Sequence, residues 1–294
     1  KTMTARSILG LLPAGVGVRD GSLLLRHRDL TTLSDAELRA LRGRDIAMIS
    51  QEPMVALDPL FSVKSQLTRP IRRFRGVGRN EARLIAVELL EQVGIVDAEH
   101  VLASYPHQLS GGMAQRVAIA LALTGEPKLL IADEPTTALD VTVQAEILSL
   151  LRSLVAETGM SMVIVSHDLG VVADICDTVA VMYAGQIVES GPVDDVLDHP
   201  EHPYTMALLG ANPHAAAHDG PEPDRLAAIV GTVPPPGSWP IGCRFASRCQ
   251  FATDACDEPM THQVGHGTGS VLCARADELA ATGVTWAPER EGAA

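Results

Sequence analysis

Lys1 to Leu12 carries apolar residues at helical spacing and stops at Pro13, predicting a helix over residues 1–12. Alternation in Ser22-Leu23-Leu24-Leu25-Arg26-His27 marks 16–33 as a β-rich stretch. A short helix over Asp35–Arg42 and a buried strand over Asp45–Ser50 follow. From about 60 to 125 the pattern is helical. Asn80–Val93 is amphipathic, with a cap at Asn80 and a stop at Gly94, and a second helix is expected from Gly112 to Leu123. Strands at Lys128–Ala132, Ser161–Ser166 and Thr178–Tyr183 then alternate with helices at Val141–Glu157 and Leu169–Cys176. That alternation predicts an α/β fold, a mostly parallel sheet with helices on its faces. The pattern ends near Leu209; residues 210–240 are rich in His, Ala, Gly and Pro and read as a linker. Residues 241–294 form a Cys-rich extension with a loose tail. No internal repeat is evident.

Apolar residues make up 46% of the 294, enough for a sizeable core. Lys and Arg number 23 against 36 Asp and Glu, a net charge of −13, which argues against unspecific binding to nucleic acid or anionic lipid. Aromatics at 3% also disfavour a base-stacking platform. No apolar run reaches the roughly 18 to 20 residues of a membrane span, so a soluble chain is expected.

Several polar residues fall where strands or helices end. Asp133-Glu134 closes the apolar run Leu129-Leu130-Ile131-Ala132, at the sheet edge where open α/β folds bind ligands. Asp133 can hold Mg²⁺ through water and Glu134 can polarise an attacking water; the plain alternative is a strand followed by an acidic turn. Ser110-Gly111-Gly112 opens a helix, leaving bare N–H groups that suit an anion, or simply a Ser cap. His167 ends another buried strand, and Gln51 follows the strand closing at Ile49-Ser50. Each of these is weak alone.

In order, they resemble the ATP-binding subunit of an ABC transporter. Gln51 matches the Q-loop, Leu109–Gln115 the signature motif, Leu129–Glu134 the Walker B strand, Ala138-Leu139-Asp140 the D-loop and His167 the switch histidine. The resemblance covers 1–209. It implies an ABC ATPase domain there, a RecA-like parallel core plus a helical signature subdomain at about 60–125. Lys1-Thr2 is similar to the end of the phosphate-binding motif, whose Lys reaches the phosphates and whose hydroxyl ligates Mg²⁺. The glycine-rich loop and the adenine-stacking aromatic of that family do not precede it, so the numbered chain is expected to be a fragment or the tail half of a longer polypeptide.

A closer resemblance follows. Glu201-His202-Pro203-Tyr204-Thr205, Gly231-Thr232-Val233-Pro234 and Gly242-Cys243-Arg244-Phe245 look like the C-terminal extension of oligopeptide and dipeptide importer ATPases. Met113 stands where many relatives have Gln. The family implies ATP hydrolysis with Mg²⁺ as cofactor: Glu134 the general base, His167 and Gln51 sensing the γ-phosphate, and Lys1, Thr2 and Asp133 holding ATP and Mg²⁺. Ser110, Gly111, Gly112 and Gln115 serve the opposite ATP site, beside Asp140 of the D-loop. It also implies two membrane-spanning permease subunits, a second ABC ATPase subunit as a separate chain or a fused domain, an extracytoplasmic peptide-binding protein and a place on the cytoplasmic face of the membrane. Near relatives carry nickel, glutathione or other small solutes, and non-transport ABC ATPases form the rival class.

Cys243, Cys249, Cys256 and Cys273 are separated by five, six and sixteen residues, without the close pairs of a zinc site. Four isolated thiolates suit a [4Fe-4S] cluster, with zinc and metal-free thiols or disulfides as alternatives. Arg244, Arg248 and Arg275 stand close by to offset thiolate charge, and His262 and His266 are substitute ligands. Cys176, in an apolar helix, is expected in the core.

Overall fold

The computed structural model describes residues 1–137, 139–211, 229–265 and 268–286. Ala138, much of the expected linker, His266 and the end of the tail therefore lie outside the described residues. The chain divides into two compact units, Lys1–His167 and Asp168–Ala294.

The first unit contains helices α1 (Thr2–Ile8), α2 (Asp35–Leu41), α3 (Pro53–Ala56), α4 (Val63–Arg75), α5 (Arg79–Gln92), α6 (Ala98–Ala103), α7 (Gly111–Leu123) and α8 (Val141–Thr158). Its strands are β1 (Leu24–Leu25), β2 (Arg28–Asp29), β3 (Ile46–Ile49), β4 (Leu129–Asp133) and β5 (Ser161–Val165). The last three make a parallel sheet in the order β3-β4-β5, with Ile49 beside Ala132 and Asp133 beside Val165. This register brings their C-terminal ends to one edge. Ile46, Ile49, Leu130, Ile131 and Ala132 are buried, as a strand covered on both faces requires. Ala5 and Leu9 pack with Leu30, Ile46 and Ile131.

Helices α4 to α7 form the expected helical subdomain. On α4, Val63, Leu67 and Ile71 repeat every four residues and are buried; Ser62 caps its start and Gly76 its end, at φ 70°. Two local expectations are corrected. Helix α5 begins at Arg79, capped by Gly78, so Asn80 lies inside the first turn and caps nothing. The β-rich stretch reduces to the hairpin β1–β2, whose turn residues Arg26 and His27 both take positive φ, 47° and 66°, without the glycine that advertises such a turn.

The second unit holds α9 (Leu169–Ile175), β6 (Thr178–Tyr183), β7 (Gln186–Pro192), α10 (Val193–Asp198), α11 (Pro203–Gly210), β8 (Gln263–Val264), β9 (Ser270–Val271) and α12 (Ala276–Thr282). Here Thr178–Tyr183 does not extend the parallel sheet. Ala184 and Gly185, at φ 45° and 80°, turn the chain straight back, and β6 pairs antiparallel with β7 in a sheet of order β6-β7-β9-β8. Val181, Tyr183, Val188, Phe245, Cys243 and Cys256 form its core.

Candidate active site

Three strands end side by side, and a polar residue one or two positions past each meets the others at the same edge. Glu134, directly after β4, is the centre of what gathers there. Gln51 Nε2, two residues past β3, donates to Glu134 Oε2 at 2.8 Å, and the Thr137 hydroxyl donates to the same oxygen at 2.9 Å. His167 Nδ1, two residues past β5, stands 3.4 Å from Oε1. Burial would raise the Glu134 carboxyl, but the Thr137 hydroxyl, His167 and the charge of Lys1 outweigh it and hold the group below the ordinary carboxylate range. The carboxylate is therefore ionised near neutrality.

Lys1 Nζ donates to the Ser166 carbonyl at 2.7 Å, at the end of β5, and Thr2 starts α1. Asp133, the last residue of β4, is 3% exposed, and its Oδ1 has no hydrogen-bond partner. A buried carboxylate oxygen left open beside an ionised Glu is a fitting ligand for a hydrated Mg²⁺.

Ser110 caps α7, accepting from the Met113 N–H at 3.3 Å, with Gly111 and Gly112 in the first turn. A Cβ on Gly112 would stand 3.0 Å from Val143 Cγ1, so the bare backbone lets α7 lie close against α8. Asp140 caps α8 through the Val143 N–H at 3.0 Å. Gln115 is 1% exposed and donates to the Pro135 carbonyl at 2.7 Å. Thr137 was not singled out from the sequence; its signal was a hydroxyl three residues after the acidic pair. Gln144, which donates to Thr136 Oγ1 at 3.1 Å, offered none.

The cysteines correct the expectation of a metal. Cys243, Cys249, Cys256 and Cys273 line one recess together with Phe245, Phe251, Met260 and Leu279. Among the described residues, however, no group of three or more His, Cys, Asp or Glu is arranged to hold a metal ion, so neither the iron–sulfur cluster nor its zinc alternative has a site. Burial pushes Cys249 up to about 12 and Cys273 up to about 11, and raises Cys243, so these thiols keep their protons and act as small apolar side chains. The nearby arginines serve other groups: Arg244 donates to the Ala184 carbonyl and stacks on Trp239, Arg248 donates to the Ile229 and Val230 carbonyls, and Arg275 pairs with Glu278. His262 is exposed. Cys176 is half-buried at the C-cap of α9, just outside the helix expected to contain it.

Comparison with known proteins agrees with this geometry. Residues 1–137 match the ABC transporter family, and 188–256 match the oligopeptide/dipeptide transporter C-terminal region. The chain is 48% identical over 291 residues to a Brucella melitensis protein named for peptide import as an ATP-binding protein, covering 96% of this chain and 86% of that one. It is 47% identical over 270 residues to the oligopeptide transport ATP-binding protein AppD of Bacillus subtilis, covering 90% and 81%. Among solved structures, the dimeric ATP-binding cassette MJ0796 in a post-hydrolysis state with ADP and Pi aligns with a TM-score of 0.53 at 30% identity, over 60% of this chain and 74% of that one. CbiO1 from Clostridium perfringens, part of the transporter complex cbiONQ, aligns with a TM-score of 0.56 at 29% identity, over 67% and 74%. No helix among the described residues is long and apolar enough to cross a membrane.

Proposed function

The chain belongs to the ATP-binding proteins of ABC peptide importers, and from that premise we propose that the edge built around Glu134 hydrolyses the ATP that drives import of oligopeptides or dipeptides. The observation that carries the reading is an ionised carboxylate at the end of the central strand, reached by Gln51, Thr137 and His167.

Glu134 is the general base that takes the proton of the attacking water. His167 and Gln51 contact the γ-phosphate and report its presence to the carboxylate they already touch. Lys1 and Thr2 hold the phosphates, and Asp133 fixes Mg²⁺ through water. The metal, when bound, supplies positive charge against the phosphate oxygens. With little covalent chemistry for the protein to do, positioning and charge carry the rate.

Ser110, Gly111 and Gly112 present N–H groups to the ATP of a second ATPase subunit, with Asp140 at the seam. The dimeric state of the MJ0796 cassette supports pairing with a second ATPase subunit. Two permease subunits hold the pair against the cytoplasmic face of the membrane, and an extracytoplasmic binding protein delivers peptide. Met54, Val55 and Leu60, which follow Gln51, are 45%, 75% and 81% exposed and offer an apolar footing for the permeases.

The test is reconstitution of the full importer in proteoliposomes. Peptide-loaded binding protein should stimulate ATP hydrolysis and accumulate peptide in the lumen. Stimulation by nickel or glutathione with none by peptides would refute the peptide assignment while leaving the ATPase intact.

A further inference from the structure

Glu134 stands on a backbone that does not favour its conformation. It is a non-glycine residue at φ 48° directly before Pro135, a strained setting that persists only where neighbours over-determine it. Four hydrogen bonds do so. The Glu134 N–H donates to the Val165 carbonyl at 2.9 Å and the Thr137 N–H donates to the Glu134 carbonyl at 3.2 Å. Gln144 reaches Thr136 from α8, and Gln115 reaches the Pro135 carbonyl from α7 at 2.7 Å.

Gln115 differs from the other three. It comes from the helix that Ser110-Gly111-Gly112 opens, and at 1% exposure its amide has no access to a ligand outside. Its donor ends on the peptide carbonyl one residue beyond the carboxylate. Helix α7 does not depend on this bond for its place, because Arg116 ties it to Glu146 on α8 at 2.7 Å and to the Val93 carbonyl at 2.6 Å.

We infer that Gln115 is a positioning residue for hydrolysis: through the Pro135 carbonyl it fixes the aim of Glu134 and makes that aim depend on where α7 stands. The helix that presents Ser110 to the opposite ATP then also sets the base of its own site. Any displacement of α7 on engaging the opposite nucleotide reaches Pro135 through one buried amide. The inference rests on Glu134 being the general base.

Kinetics of the assembled importer test it, with three variants. Gln115→Met keeps the length of the side chain and removes the donor. It should lower kcat about 10- to 100-fold, the cost of a small misplacement of a reacting group, and leave the KM for ATP unchanged. Gln115→Glu keeps the shape and donates only when protonated. Wherever that carboxyl is protonated, as burial favours, the variant's kcat should exceed that of Gln115→Met and approach wild type, a recovery that a misfolded protein cannot make. Unchanged kcat in Gln115→Met, or a raised KM with kcat intact, would each overturn the inference. Glu134→Gln separates the two layers. If it keeps wild-type turnover, the general-base reading fails and this inference with it; if it is dead while Gln115→Met is fully active, this inference alone fails.

Discussion

The two units put ionisable side chains to opposite uses. In the first, Glu134 stands at a strand end, and its neighbours hold it below its ordinary range against the pull of burial. In the second, burial decides. Glu189 on β7 is 3% exposed and is raised by desolvation, although it accepts from the Glu201 and His202 N–H groups. His202 is driven down to about 3, and Cys249 up to about 12, both by burial first. Burial pushes these three groups towards their neutral forms, whereas its neighbours hold Glu134 in its charged form. Topology accounts for the difference. Parallel strands all finish at one edge, so the polar residues after them meet outside the core, where solvent and cationic neighbours sustain charge. The antiparallel sheet β6-β7-β9-β8 gathers no such edge; Glu189 is buried in mid-strand, and His202, outside the sheet, lies against Phe245.

The sharpest way to break this contrast is to remove the charge on Glu134. Glu134→Gln keeps the side chain's shape and its reach to Thr137 but cannot accept a proton. Steady-state ATPase activity of the assembled importer should fall by about 10² to 10⁴, with nucleotide still bound in an equilibrium assay. Activity within about twofold of wild type would place the base elsewhere.

That residue was legible from the sequence because its strand is a run of four apolar residues followed at once by two acids. Gln51 and His167, the second residues past β3 and β5, were weak signals alone and were legible only through their order with the other motifs of the family. Three features stayed hidden. Strand β7 reads Gln-Ile-Val-Glu-Ser-Gly-Pro, and a buried Glu189 with Gly191 and Pro192 breaks the alternation that betrays a strand. The cysteine spacing says nothing about burial, so thiols that the apolar recess keeps protonated looked like ligands. Gln115 was visible as part of the signature motif, but its carbonyl partner lies 20 residues away, and only the packing of α7 on the loop after β4 reveals it.

A second test acts on the neutral side of the contrast. His202 is 1% exposed, and its Nδ1 accepts from the Tyr204 N–H at 3.0 Å, capping α11. Its folded value of about 3 lies below the ordinary 6.5, so between those limits the unfolded chain binds more protons than the native one. The stability this gives is complete above pH 6.5 and is lost as pH falls towards 3. Glu189, raised from 4.5, works the other way: its contribution is present below pH 4.5 and is lost as pH rises through its folded value. His202→Asn keeps the capping acceptor and cannot titrate. Both tryptophans of the chain, Trp239 and Trp286, belong to this unit, so their fluorescence follows its unfolding. The urea midpoint of the wild type should drop more steeply on acidification than that of His202→Asn. Parallel curves would mean that His202 carries no part of the acid sensitivity.

The smallest expected effect belongs to the hydroxyl that sustains the charge in the first unit. Thr137 donates to Glu134 Oε2 at 2.9 Å and is the first of the interactions that lower this carboxyl against burial. Thr137→Val preserves the branched shape and removes only that donor, while Gln51 still reaches the same oxygen at 2.8 Å. The base therefore survives, but its pKa moves up. Turnover at neutral pH should change little, because the carboxylate remains mostly ionised there. The acid limb of the kcat profile should shift to higher pH, since less acid is then needed to protonate the base. Thr137→Ser restores the hydroxyl and should return the limb to its wild-type position. An acid limb that stays fixed in Thr137→Val, or that moves the same way in Thr137→Ser, would show that the loop's shape rather than this hydrogen bond keeps Glu134 charged.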